Sequence, residues 1–299
     1  MEFHQLKYFI CVVEEGNISA AARKLNMTQP PLSTQIRLLE QEIGNPLFVR
    51  GPREIRLTDT GKLLYERARN ILSLAERTMD ELENQKNGIQ GRLRLGVVSS
   101  VNEELLWRYI CPMREKYREL TFELFEANTY QLIDKLRSNL LDLALIRTPF
   151  PIEKDLLVTE LWEDPILVAG KSSFFSSVNG DNGVSMKELS RLPLIVYRRW
   201  KSSLDQRFAE YGEKPAYLCV NDDARTSLSW ARAGLGVTIV PKSALRSMLE
   251  ADPAARKDEF WSFPIGLSSK VCAVTNRDGY QAPTAELFLR YIQNFPGED

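Results

Sequence analysis

Histidine is almost missing from this chain: among 299 residues the single one is His4. One imidazole near one end cannot furnish the rest of the chain with a histidine-based triad, a histidine zinc site or a histidine general base. Cysteine is sparse as well. Cys11, Cys111, Cys219 and Cys272 stand far apart with no C-x-x-C spacing, so neither a zinc knuckle nor a disulfide framework is expected. They read as small apolar residues, and none has the basic cluster and resolving partner that redox sensing needs. There is no Walker phosphate loop. Gly234-Leu235-Gly236 precedes a strand-like run instead of opening a helix, so it reads as a helix stop and not a dinucleotide loop. No long uncharged apolar run occurs, and acidic and polar residues follow Met1 where a secretory signal would carry positive charge. A membrane span and export are therefore not expected, and the cytosol is the expected compartment. Net charge is lacking too, at −1 from 39 Lys and Arg against 40 Asp and Glu, so any nucleic-acid binding must come from where charges point.

What is present is enough material for two or three folded units, at an ordinary 43% hydrophobic and 26% charged residues. Leu6, Phe9, Ile10 and Val13 recur at helical spacing, predicting a helix over 3–15 that stops at Gly16 and Asn17. A second helix over 19–25, capped by Asn17 or Ser19, carries Ala20, Ala21 and Ala22, which permit close approach. After the break at Asn26 and Met27, Thr28 can cap a third helix. Pro30 and Pro31 suit its first turn because their missing N–H costs nothing there. Leu32, Ile36, Leu39 and Ile43 form its inward stripe, which leaves Ser33, Thr34 and Arg37 outward near the N-terminal end.

That spacing is a helix-turn-helix, in which the first turns of the last helix meet base edges in the major groove. Gln29, Ser33, Thr34 and Arg37 are the candidates for base contact, against the plainer alternative of a polar surface helix. Residues 46–58 then form a hairpin pattern with turn residues at the tip. This wing carries Arg50, Arg53 and Arg56, placed either over flanking phosphates or on a solvated hairpin edge. Basic residues in 1–60 are numerically matched by acidic ones, so orientation must separate them.

A long helix is predicted over 60–87, capped by Thr58 or Asp59, with Leu64, Ala68, Ile71, Ala75 and Leu82 at heptad-like spacing interrupted at Thr78 and Met79. Gly88 and Gly91 make a hinge. From 92 on, strand-like runs at 93–98, 122–125, 141–146, 194–197 and 237–240 alternate with helical stretches at 104–117, 130–138, 204–211 and 224–233. This predicts an α/β domain with a mainly parallel sheet. Residues 149–151 and 264–266 are expected where the chain crosses between two lobes.

In open α/β sheets ligands sit beyond the carboxyl ends of strands. Ser99 and Ser100 follow the first strand and form either an anion site suited to a carboxylate or phosphate, or a simple helix cap. Asn128 and Thr129 follow the second strand and Arg147 the third. Tyr197 and Arg198, with Arg199 and Trp200, follow a strand of the second lobe. Arg147 wants an anionic partner, which a ligand or an internal salt bridge would equally provide.

An ordered set of residues then carries a resemblance. Ala20-Ala21-Ala22-Arg23-Lys24-Leu25, Thr28-Gln29-Pro30-Pro31-Leu32-Ser33, Ile36, Leu39-Glu40, Gly44, Leu47-Phe48, Arg50 and Leu57-Thr58-x-Thr60-Gly61 resemble the DNA-binding domain of LysR-type transcriptional regulators. Gly96 with Ser99-Ser100, Asp142-Leu143-Ala144-Leu145, and Gly234-Leu235-Gly236-Val237 with Pro241 extend the resemblance. It implies a winged helix-turn-helix over 1–59, a linker helix and hinge over 60–90, and a two-lobed effector domain like a periplasmic binding protein over 91–299. Lobe I would comprise about 91–163 and 268–299, and lobe II about 164–267. It also implies that the recognition helix includes Gln29, Pro30, Pro31 and Ser33, that linker helices pair antiparallel across a dimer, and that Ser100 stands where such regulators contact effector.

The expected partners are promoter DNA, a small anionic metabolite such as a carboxylate, further copies as a homodimer or homotetramer, and RNA polymerase if the protein activates. No cofactor is expected. An enzyme is opposed by the histidine count, and an exported solute-binding protein by the missing signal and the N-terminal domain. A DNA-binding protein whose C-terminal domain only mediates assembly stays open until effector response is tested.

Overall fold

The structure is a computed structural model that describes residues 1–50, 55–87, 91–176, 183–251, 260–279 and 281–294. It divides into two compact units: Met1–Gly91 with Lys135–Leu140, and Arg92–Asp134 with Leu141–Asp299. Two sequence assignments, the wing tip at 51–54 with Arg53 and the hinge residues 88–90, lie outside the described residues.

In the first unit, α1 (Phe3–Glu15) opens with the Glu2 N–H donating to Gln5 Oε1 at 2.9 Å and stops at Gly16, whose φ of 69° is left-handed. Asn17, not Ser19, caps α2 (Ile18–Lys24), its Oδ1 accepting the Ala20 N–H at 2.7 Å. Ala21 and Ala22 are buried between helices. Thr28 occupies the N-cap of α3 (Gln29–Ile43) without a side-chain capping bond, the prolines alone shaping the first turn. Leu32, Ile36 and Leu39 join Phe9, Val12 and Leu47 in one core. A short hairpin of β1 (Phe48–Arg50) and β2 (Ile55–Leu57) pairs antiparallel, Phe48 opposite Leu57. Glu40 of α3 ties it down, accepting the Leu47 N–H at 2.8 Å and the Phe48 N–H at 3.4 Å.

Thr58 accepts the Gly61 N–H at 2.9 Å at the start of α4 (Asp59–Asn87). Gly61 is required there, since a Cβ would lie 2.2 Å from the Leu47 carbonyl oxygen. The predicted stripe along this helix divides. Ala68 is fully buried, Leu64 packs against the winged-domain core and Ala75 is half-buried, whereas Ile71 and Leu82 are exposed, as are Leu63, Leu74 and Met79 outside the predicted stripe.

The second unit is built on one sheet of eight strands in the order β4-β3-β5-β10-β6-β9-β7-β8. Its elements in chain order are β3 (Gly91–Val97), α5 (Asn102–Leu105) continuing through a π turn into α6 (Cys111–Lys116), β4 (Leu120–Glu126), α7 (Thr129–Arg137), β5 (Leu143–Arg147), β6 (Leu156–Lys171), α8 (Met186–Leu189), β7 (Leu194–Tyr197), α9 (Arg198–Glu210), β8 (Tyr217–Asn221), α10 (Ala224–Arg232), β9 (Val237–Pro241), α11 (Lys242–Ala251), β10 (Phe260–Asn276) and α12 (Pro283–Asn294).

Two features correct the sequence reading. The sheet is mixed, not mainly parallel: β3 with β5, and β7 with β8 and β9, are parallel, but β5, β10, β6 and β9 meet antiparallel. The crossing between lobes is made by β6 and β10 themselves, which pair from Phe260 opposite Lys171 to Asn276 opposite Leu156. Pro149 and Pro151 lie instead between β5 and β6 on the lobe I side, while 264–266 coincides with a register shift in β10. Each lobe has its own covering helices, and lobe II encloses Phe175, Leu194, Val196, Trp200, Leu204 and Phe208.

Candidate DNA-binding face and ligand cleft

At the start of α3, Thr28, Gln29, Pro30, Pro31, Thr34 and Arg37 are exposed and Ser33 is half-buried, so these residues form one accessible end of the helix. The Thr34 hydroxyl donates to the Pro30 carbonyl at 3.0 Å, which leaves its oxygen as an acceptor. Ser19 of α2 donates to Gln29 Oε1 at 3.0 Å. Arg50 ends β1, and Arg56 is exposed on β2 opposite Val49. Acidic residues are occupied elsewhere: Glu40 holds the hairpin, Glu15 pairs with Lys24 at 2.7 Å, and Asp59 with Lys62 at 2.9 Å. Balanced composition thus leaves Arg37 and Arg56 exposed while several carboxylates are engaged in hydrogen bonds and ion pairs.

In the second unit, strand ends and helix starts from both lobes converge around Arg147, which is wholly buried at the end of β5. Its Nε donates to Ser100 Oγ at 2.9 Å. Its Nη2 donates to the Ser100 carbonyl at 3.2 Å, to Asp164 Oδ2 at 2.7 Å and to Ser243 Oγ at 2.8 Å. Asp164 comes from β6 where it passes between lobes, and also accepts the Ser243 N–H at 3.1 Å and the Ser243 hydroxyl. From lobe II, Arg199 in the first turn of α9 donates to the Arg147 carbonyl and to Thr129 Oγ1.

Burial pushes the Arg199 pKa down; the Tyr197 phenol opposes the shift and the charge of Arg147 adds to it. The network therefore holds two guanidinium groups against one hydrogen-bonded carboxylate. Arg147 Nη1, Arg199 Nε and Ser99 Oγ are enclosed with no hydrogen-bond partner. Buried donors left unsatisfied are expensive, and an acceptor-rich anion would complete them.

Residues 3–62 match the model of the bacterial regulatory helix-turn-helix protein, lysR family, and residues 86–296 match that of the LysR substrate binding domain. The chain belongs to the LysR family. It is 30% identical over 266 residues to the HTH-type transcriptional regulator TfdS of Cupriavidus pinatubonensis, spanning 86% of this chain and 90% of that one. To the HTH-type transcriptional regulator BsdA of Bacillus subtilis it is 31% identical over 247 residues, spanning 81% and 84%. In fold it is similar to CbnR, a LysR family transcriptional regulator, at a TM-score of 0.77 and 24% identity over the whole of both chains. Full-length CbnR complexed with its target DNA aligns at a TM-score of 0.76 and 24% identity, covering 98% of this chain and 99% of that one.

The protein is thus a LysR-type DNA-binding transcriptional regulator with a substrate-binding domain, and its relatives are named as regulators, not enzymes. No helix among the described residues is long and apolar enough to cross a membrane.

Within this LysR regulator, the cleft residues expected from sequence separate into two groups. Ser99, Ser100, Thr129, Arg147 and Tyr197 lie in or beside the buried network. Asn128 is exposed and accepts the Gln131 N–H at 3.0 Å, capping α7. Arg198 is exposed and pairs with Asp222 at 2.7 Å. Arg199, one residue on and named with it in the sequence, is the arginine that enters the buried network, and α9 begins at Arg198 and not near 204. Asp164 and Ser243 were also missed. Ser243 follows the end of β9, so the same strand-end rule that found Ser100 and Arg147 would have found it.

Proposed function

We propose that this regulator reads promoter DNA through the first turns of α3 and responds to a small anion, most simply a carboxylate, held between the two lobes of its substrate-binding domain. Gln29, Ser33, Thr34 and Arg37 face base edges, while Arg56, with Arg50 and Arg53, lies along phosphates and supplies salt-dependent affinity. The observation that carries the effector class is the charge imbalance of the cleft: Arg147 and Arg199 against Asp164, with Arg147 Nη1, Arg199 Nε and Ser99 Oγ unpartnered. A carboxylate bridging Ser99, Arg147 and Arg199 would satisfy these donors and neutralise the excess charge.

Because the groups come from both lobes, such a ligand favours one spacing of the lobes over another, which is the differential affinity that regulation requires. The reading extends to a cytosolic homodimer or homotetramer whose exposed α4 faces are covered by further copies, and to RNA polymerase contact if the protein activates.

The test is anisotropy of labelled DNA from upstream of the protein's own gene, against random duplex, with and without a panel of small carboxylates. Specific binding whose affinity or footprint shifts with one carboxylate, and no longer shifts in R199A, is expected. A protein that discriminates its DNA yet ignores every anion would end the effector reading and favour a domain that only mediates assembly.

A further inference from the structure

Ser19 stands where a capping serine would be expected, yet its hydroxyl is not used for capping, because Asn17 already accepts the Ala20 N–H. Instead Ser19 Oγ crosses the turn of the helix-turn-helix and donates to Gln29 Oε1 at 3.0 Å. Both side chains are exposed, so no buried polar group forces this bond. Gln29 is the first residue of α3, at the end of the helix that meets the major groove.

A free glutamine samples many rotamers, and fixing one on binding costs conformational entropy. The bond from Ser19 removes much of that freedom before DNA arrives. It also sets the chemistry offered. With one Oε1 lone pair occupied, the Nε2 amide N–H groups and the second Oε1 lone pair remain, donors and an acceptor side by side. That pair matches the N7 acceptor and N6 donor on the major-groove edge of adenine.

We propose that Ser19 is a positioning residue for sequence readout: it holds the Gln29 carboxamide in place for one base pair without touching DNA itself. The inference rests on Gln29 being a base-contacting residue, as proposed above, and the test separates the two.

The experiment uses the full-length chain, a duplex it selects from a randomised pool, and every single-base-pair variant of that duplex. Four proteins are compared: wild type, Q29A, S19A and S19T. Affinity for an unrelated duplex, its salt dependence and the thermal midpoint are recorded alongside. Q29A should flatten the preference at one base pair. S19A should reduce the preference at that same pair by about three- to tenfold, with binding to unrelated duplex, salt slope and thermal midpoint unchanged. S19T retains the hydroxyl and should behave as wild type. If Q29A flattens the preference and S19A does not, the positioning role is overturned while Gln29 readout stands. Weakening of S19A on selected and unrelated duplex alike overturns it in favour of a structural role. An unaltered profile for Q29A removes Gln29 from base readout, and the role of Ser19 falls with it.

Discussion

Arg147 poses the sharpest question at the scale of a single residue, because sequence left its partner open between ligand and protein. The structure provides an internal carboxylate, Asp164, at 2.7 Å, and seats both groups away from water. Buried pairs of this kind contribute little net stability over an apolar replacement, but breaking one leaves an uncompensated charge. R147A and D164A should each destabilise the substrate-binding domain by about 3–5 kcal/mol, and the double substitution by clearly less than their sum, in urea unfolding followed by tryptophan fluorescence. Strict additivity would mean that the two side chains do not act as a pair. At the same scale, burial pushes the Cys272 thiol up to about 11, which works against thiolate chemistry at that residue. Residues of the buried network were readable where they lie at or just beyond the end of a recognisable strand, as Arg147 and Ser100 do. Asp164 was not, since it precedes Pro165 in a charged stretch that reads as a turn.

The same stretch explains what was missed at the scale of elements. The winged domain was readable because its helices carry local punctuation: Gly16 and Gly44 in left-handed conformation, Asn17 as a cap, prolines in a first turn. Strands β6 and β10 carry the opposite signals, with Pro165 and the Pro264-Ile265-Gly266 bulge set inside continuous pairing. Proline and glycine within a strand argue against one unless a long partner holds the register, and here each strand is the other's partner. The linker helix was readable as a helix but not in its division of labour. Its early turns belong to the winged domain through Leu64 and Tyr65, and its exposed apolar residues are Leu63, Ile71, Leu74, Met79 and Leu82. An exposed apolar face of that length favours burial against another copy. Replacing Leu74 and Leu82 together by Glu should shift the protein to a smaller species in analytical ultracentrifugation and weaken operator binding, leaving the winged domain folded by circular dichroism. Unchanged sedimentation would locate assembly elsewhere.

Across the whole molecule, positive and negative side chains nearly cancel, at 39 Lys and Arg against 40 Asp and Glu. A net charge of −1 is compatible with DNA binding: near α3 Glu40 accepts backbone N–H groups of the hairpin and Glu15 pairs with Lys24, and Arg37 and Arg56 are exposed. R56A should weaken selected and unrelated duplex in parallel and reduce the slope of log affinity against log salt by about one. A loss confined to the selected duplex would instead make Arg56 a base-reading residue.

For the proposed coupling between cleft and DNA, thermodynamics fixes the form. If an anion in the cleft changes operator affinity by some factor, operator must change anion affinity by the same factor, since both are one coupling free energy. Isothermal titration of the anion into free protein and into the protein–operator complex should therefore give a ratio of dissociation constants equal to that found for operator with and without anion. R199A, which removes the lobe II cation, should bring both ratios towards one together while leaving operator affinity in the absence of anion near wild type. An anion that binds free and operator-bound protein equally, yet still alters transcription, would mean that the cleft acts after DNA is engaged, on the contact with polymerase and not on the DNA-binding equilibrium.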